Sequence, residues 1–296
     1  IRWGVDRRWP YPSSTLGFKN LAGQVYLVGG VMGFACMLSP ALSSRLRSLA
    51  GAVLILSLWG IWSVRARSCG LGMALAMGAI LALSLRGYFT LDLKTFWRGP
   101  IAGALAAAML VSVCLNVGPG MTKTRAKRAP TDASTLDTRV IRWSNSADVW
   151  LDHPMTGVGL GNFRVHYPKY GQSDPQQNER MNVHEAHNEY LQVLVECGVM
   201  GLIAWLGLLG AIMLGLWRAL ISSTSEEHRL FCVATAAALI GILAHTFFSF
   251  ALRNPAPPVW CWLAVGAALG TPSEPREGWQ KQVLSAGWFV FGISTL

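Results

Sequence analysis

Two histidines three residues apart, His184 and His187, stand at the head of a long apolar run that carries a polar stripe of its own. The segment "HEAHNE" invites a zinc-hydrolase reading, and its spacing refutes it. The motif HExxH needs histidines four apart on one helix face, and here Asn188 holds the second position. With no third ligand in view, no metal is expected. Glu189, Gln192 and Glu196 recur at i, i+3 and i+7, which puts them on one side of an otherwise apolar helix. Glu196 lies about 10 Å along that helix from Glu189. An ionisable group so placed in a membrane helix faces the bundle interior and finds a partner; His245, in a later apolar run, is the expected one.

One arginine pair could hold an anion. Arg65 and Arg67 in "WSVRARSCG" sit in a short turn between apolar runs. They either snorkel to the membrane surface or grip a phosphate, for which the guanidinium fork is well shaped. Arg139, Arg142 and Ser146 share one flank of a predicted helix. "GVGLGN", residues 157–162, fails the dinucleotide-binding pattern and reads as a turn, with backbone amides cradling phosphate as the sharper alternative.

These residues must be positioned by membrane helices. The 296-residue chain is 52% hydrophobic and 14% charged, against roughly 25% charged for a soluble domain. Apolar runs at 21–38, 46–64, 69–85, 100–117, 189–217, 230–252 and 256–270 approach the ~20 residues that a span needs; a further run at 283–296 is cut off by the chain end. About seven spans are expected. Recurrent Gly and Ala, as in "GLGMALAMGA", suit close helix approach in lipid. No internal repeat or pair of broken helices suggests an inverted-repeat transporter. The chain opens at Ile1 rather than Met and is expected to be a fragment lacking upstream helices, with no signal-peptide pattern.

One long polar insertion, residues 118–188, separates the fourth and fifth runs. If it is external, the internal loops carry nine basic residues (Arg45, Arg47, Arg86, Lys94, Arg98, Arg218, Arg229, Arg276, Lys281) and the short external loops three (Arg65, Arg67, Arg253). The positive-inside rule favours that orientation. Within the insertion, "PGMTKTRAKRAPTD" reads as a solvated basic stretch. Ser134 and Asp137 then resemble a capping box. Val140, Trp143, Ala147, Trp150 and Leu151 follow at helical spacing until Pro154, an amphipathic helix suited to the membrane surface or the top of the bundle. Residues 171–186 read as a loop.

The net charge of +10 does not indicate nucleic acid, since no binding module accompanies it; anionic lipid or a lipid-linked anion fits better. Six cysteines, scattered singly without CxxC spacing, suggest packing rather than zinc or disulfides.

The stretches "STLGFKNLAG" (14–23), "VRARSCGLGMAL" (64–75), "TRVIRWSNSADVWLDHPMTGVGLGNF" (138–163), "HNEYLQVLVECGVMGL" (187–202) and "AHTFFSFALRNP" (244–255), in this order, resemble the O-antigen ligase and polymerase family of bacterial membrane glycosyltransferases. The resemblance implies an inverting, metal-independent transfer from an undecaprenyl-pyrophosphate glycan on the periplasmic side of the inner membrane, with no cofactor. The family's essential His before Asn falls on His187, and its Arg four residues before a Trp on Arg139. Its Arg opening a span falls on Arg67 or Arg65, with Ala66 where the family usually has Ser. Such chemistry is physically reasonable. Pyrophosphate is a good leaving group once fixed cations stabilise it, and a histidine with a reference pKa of ~6.5 is a natural base for an acceptor hydroxyl.

The sequence therefore predicts an all-α, polytopic bundle with one large periplasmic loop. Its parts would be residues 1–117 (N-terminal helices), 118–188 (loop) and 189–296 (C-terminal helices). His187 is the expected base, and Arg67, Arg139, Arg65 and Arg142 the pyrophosphate ligands. Glu196, His245, Asn188 and His184 are expected to support them. The acceptor would be a glycolipid, a polysaccharide or a protein. A solute transporter or channel, or a non-catalytic scaffold of a polysaccharide assembly complex, are the alternatives.

Overall fold

The computed structural model describes residues 19–64, 66–92, 135–171, 183–250, 252–253 and 256–270. The expected span at 100–117, the truncated apolar run at 283–296, the basic stretch before residue 131, Ser134 and Arg65 lie outside the described residues. Among those described there are eight helices and no strand: α1 (Lys19–Met37), α2 (Ser44–Ser63), α3 (Arg67–Leu85), α4 (Thr135–Asp152), α5 (Phe163–Tyr170), α6 (Glu189–Ser222), α7 (Glu226–Thr246) and α8 (Ala256–Gly270). α1, α2, α3, α6 and α7 are long and apolar enough to cross a membrane; α8 is shorter. The apolar run read as 230–252 stops being helical at Thr246, where Phe247–Phe250 turns away.

Helix ends follow local chemistry. Asn188 Oδ1 accepts from Leu191 N at 3.1 Å and caps α6, while Ser225 Oγ accepts from His228 N at 3.4 Å at the head of α7. Glu226 and Glu227 then place negative charge against the N-terminal end of the α7 dipole.

The chain forms two compact units. The first comprises residues 1–116, 212–245 and 254–296. α1 is central to it, with Leu27, Val31 and Ala35 fully buried, and contacts α2, α3 and α8. Small residues set its spacing: a Cβ on Gly72 of α3 would sit 2.3 Å from the Gly241 carbonyl oxygen of α7, and one on Gly241 would sit 2.8 Å from that of Gly72. Either substitution would push the backbones apart, as expected for close-packed membrane helices. Loops are pinned by Arg47, which pairs with Asp92 at 2.9 Å and donates through Nε to the Met37 carbonyl at 3.1 Å.

The second unit comprises residues 117–211 and 246–253. Its core is Val149 of α4, Phe163 and Tyr167 of α5, Val183 and Ala186 of the segment before α6, and Val195 of α6. Trp143 packs edge-on against Phe247, with ring centroids 5.5 Å apart, and holds the 246–253 segment against α4.

Candidate functional site

His187 immediately precedes the α6 cap, and its backbone has φ +56°, the one left-handed non-glycine among the described residues. Such a conformation costs roughly 1–3 kcal/mol and persists only where its neighbours over-determine it. Here they do. On one side, the Ala186 N–H donates to Gln192 Oε1 at 2.6 Å, and the Ala186 carbonyl accepts from the Trp143 indole at 3.1 Å. On the other side, Asn188 is fixed as the α6 cap. The half-buried imidazole packs on Phe250, ring centroids 5.2 Å apart. The backbone on both sides of the imidazole is thus pinned by side chains from α4 and α6.

The polar stripe explains itself in this geometry. Gln192 uses its oxygen on Ala186 and its amide on Glu196 Oε1 at 2.9 Å. The partner of Glu196 is not His245, as the sequence suggested, but Arg253, whose Nη1 donates to Glu196 Oε2 at 2.8 Å and whose Nε donates to Glu189 Oε1 at 3.0 Å. One guanidinium thereby bridges two carboxylates, both nearly inaccessible, and ties 252–253 to α6. His245 is a fully buried residue of the first unit, where Nδ1 meets Ser68 Oγ at 2.9 Å and Nε2 meets the Gln24 amide at 3.1 Å. Arg253, three residues after Phe250, is the cation that two buried acids on one helix require; in the sequence it is one more loop charge, and only its position among apolar runs with two unpaired acids signals it.

α6 is broken at Gly198, with φ +66° and ψ −170°. The backbone groups freed there are taken by the turn 154–159. Val158 and Gly159 N–H donate to the Val195 and Glu196 carbonyls at 3.0 and 2.9 Å, and Val199 and Met200 N–H donate to the Pro154 and Met155 carbonyls at 2.9 and 3.4 Å. Two glycines permit the approach: a Cβ on Gly198 would lie 2.1 Å from the Met155 oxygen, and one on Gly157 (φ +68°) would lie 2.4 Å from the Glu196 carbonyl carbon. "GVGLGN" is thus a turn whose amides at 158 and 159 are occupied by α6, which removes them from any phosphate cradle. The break itself was not legible beforehand, since glycine is common in membrane helices.

α4 turns its polar flank, not its apolar stripe, into the protein. Arg142, Asn145, Ser146 and Val149 are buried, whereas Val140 and Leu151, assigned to the apolar face, are exposed. The polar flank can face inward because it is satisfied: Ser146 Oγ donates to the Arg142 carbonyl at 2.7 Å, and the Asn145 amide donates to Tyr167 Oη at 3.4 Å. Arg139 is half-buried on the same flank and makes no ion pair with any described residue. Burial, then the nearby Arg142 charge, pulls its pKa below the usual guanidinium value. Two cations held together and partly desolvated favour an anion between them.

Beside these groups an open cleft of about 330 Å³ is lined by Arg164, His184, Glu185, Gln192, Glu196 and Arg253 with Gly161. Desolvation raises the Glu185 carboxyl above its ordinary value, against the pull of His184, Arg253 and Arg142. His187, Asn188, His184, Glu196, Arg139 and Arg142 all belong to the second unit. Arg67 belongs to the first, exposed at the start of α3.

A buried, ion-paired polar network and a histidine in a left-handed backbone, in a chain with helices long enough to span lipid, define a multi-pass helical membrane protein with a built polar site. The chain matches the O-antigen ligase family model over residues 27–206, more than half its length, and belongs to that family. No curated protein matches it. Family membership makes its coarse function O-antigen ligase- or polymerase-like glycan transfer, on polysaccharide or lipid-linked substrates.

Proposed function

We propose that this protein transfers a glycan from an undecaprenyl-pyrophosphate donor to an acceptor hydroxyl at the periplasmic face of the bacterial inner membrane. His187 is the base. It removes the hydroxyl proton as the oxygen attacks the anomeric carbon from the side opposite the pyrophosphate. The bond from that carbon to the pyrophosphate oxygen breaks, configuration inverts, and undecaprenyl pyrophosphate leaves with the negative charge. Arg139 and Arg142, assisted by Arg67 and Arg65, stabilise that charge as a metal ion otherwise would. In this reading about seven spans carry the 118–188 loop on the periplasmic side, between the helices of 1–117 and those of 189–296. The exposed Val140 and Leu151 of α4 then meet lipid.

The observation that carries the reading is the over-determined left-handed backbone of His187 in a chain of this family. Strain fixed by three neighbouring anchors is what a pre-positioned catalytic group requires. The break in α6 is the feature that would favour a transporter, whose discontinuous helices present free backbone groups to solutes. Those at Val195, Glu196, Val199 and Met200 are instead occupied by the turn 154–159.

The test is complementation of a deletion strain with full-length His187→Ala and Arg139→Ala variants. Both are expected to reach the membrane at normal levels and to lose glycan product. Normal product from either would remove that residue from the mechanism.

A further inference from the structure

The second unit holds two polar regions of different character. On α4, Arg139 is half-buried and lies near the like charge of Arg142, and burial first, then that charge, lowers its pKa. Across α6 and the 183–186 segment, the cleft sets Glu185 and Glu196 against Arg164 and Arg253, two acids against two guanidinium groups. The first arrangement suits an anion; the second, with balanced charge, does not.

The floor of the cleft is built. Gln192 and Glu196 are 2% and 1% exposed and locked to each other and to Arg253. Its remaining polar groups are not used up. The half-buried Glu185 carboxylate accepts no hydrogen bond from any described residue. Arg253 spends Nε and Nη1 on Glu189 and Glu196, and its Nη2 donates to no described residue. Arg164 is exposed, with no hydrogen bond to the described chain, and His184 is exposed beside Glu185. A carboxylate acceptor opposite a guanidinium donor matches a sugar ring, whose hydroxyls both donate and accept. At about 330 Å³ the space is at the small end of the roughly 300–1,000 Å³ typical of ligand sites, enough for one or two sugar rings.

We infer that this cleft binds a neutral saccharide through its hydroxyls, with Glu185 and Arg253 as the principal partners and Arg164 at the mouth. The inference rests on the glycan-transfer reading for the source of the sugar, which is either the acceptor or the first residue of the donor glycan.

The experiment uses full-length protein in lipid nanodiscs, with saturation-transfer NMR of methyl glycosides of glucose, galactose, mannose and N-acetylglucosamine. Inorganic pyrophosphate is titrated in parallel. At least one glycoside is expected to bind the wild type, and Glu185→Gln to weaken it about tenfold, as for a lost charge-assisted hydrogen bond. Arg164→Gln, on the exposed rim, should weaken it less, and neither variant should alter pyrophosphate binding. Binding of none of the four, or undiminished binding by both variants, overturns the inference. In a transfer assay, a raised KM for acceptor alone identifies the acceptor sugar, and a raised KM for donor alone the donor sugar; neither KM moving in Glu185→Gln also overturns it. Wild-type protein that binds glycoside but transfers nothing overturns the transfer reading and leaves the cleft. Wild-type transfer with a silent Glu185→Gln does the reverse.

Discussion

The two stretches of α6 on either side of Gly198 are built inside out with respect to one another. In residues 189–197, Glu189, Gln192 and Glu196 are buried with Val193 and Val195. In residues 199–222, Met200, Ile203, Leu206, Leu208, Leu214, Trp217 and Ile221 are exposed. The second stretch is about 36 Å long at 1.5 Å per residue, enough to cross the roughly 30 Å hydrocarbon core without the first. By exposure, the part of α6 suited to face lipid begins after Gly198. The acids that looked like costly charges within a span lie before the break, inside a protein-lined network, and serve to fix His187.

If that is correct, the two stretches should respond oppositely to substitution. Arg253→Ala should have the largest effect, about 3–5 kcal/mol of destabilisation, because it leaves two buried carboxylates without their cation; thermal unfolding in detergent followed by circular dichroism measures it. Gly198→Ala comes next, at roughly 2–4 kcal/mol, since it combines a left-handed backbone with a contact that must open. Gln192→Leu should cost about 1–3 kcal/mol by orphaning the Ala186 amide, and glycan transfer should fall further than stability does, because the His187 backbone loses an anchor. In the apolar stretch, Gly207→Ala, whose added Cβ meets nothing within 4 Å, should be neutral or stabilising by up to about 1 kcal/mol. A large loss there would erase the contrast.

The comparison can also be sharpened by pH. Burial pushes the Glu185 carboxyl up, with His184, Arg253, Arg142 and Glu196 the charges that act on it. Saccharide binding that needs the carboxylate is present at high pH. It is expected to weaken as pH falls, starting above the ordinary glutamate range. Glycoside titrations across pH should show this for the wild type and a flattened profile for Glu185→Gln.

Much of the fold could be read from the sequence because length and hydropathy dominate in lipid: the runs at 21–38, 46–64, 69–85 and 256–270 became α1, α2, α3 and α8 within a few residues. The orientation of α4 was not legible. An apolar stripe reports which face avoids water, and in a membrane protein that face can meet lipid as readily as protein. Its buried face is therefore the one with Arg142 and Ser146. The pairing of Glu196 with Arg253 rather than His245 was not legible, because the apolar run read as 230–252 stops being helical at Thr246 and Arg253 comes back to α6. The break at Gly198 was hidden too, since nothing in "ECGVMGL" separates that glycine from Gly201 until the turn with Gly157 is seen against it. The polar stripe itself was legible, because three polar side chains at helical spacing in an apolar run demand internal partners.

The central claim is that His187 performs the proton transfer from a backbone held in place by Gln192, Trp143 and Asn188. The direct measurement is the single-turnover rate of glycan transfer by purified full-length His187→Gln, on a lipid-linked donor, beside wild-type protein of equal thermal stability. The account predicts a loss of about 10²–10⁴-fold, the usual contribution of general base catalysis. A variant that transfers glycan at the wild-type rate would contradict it.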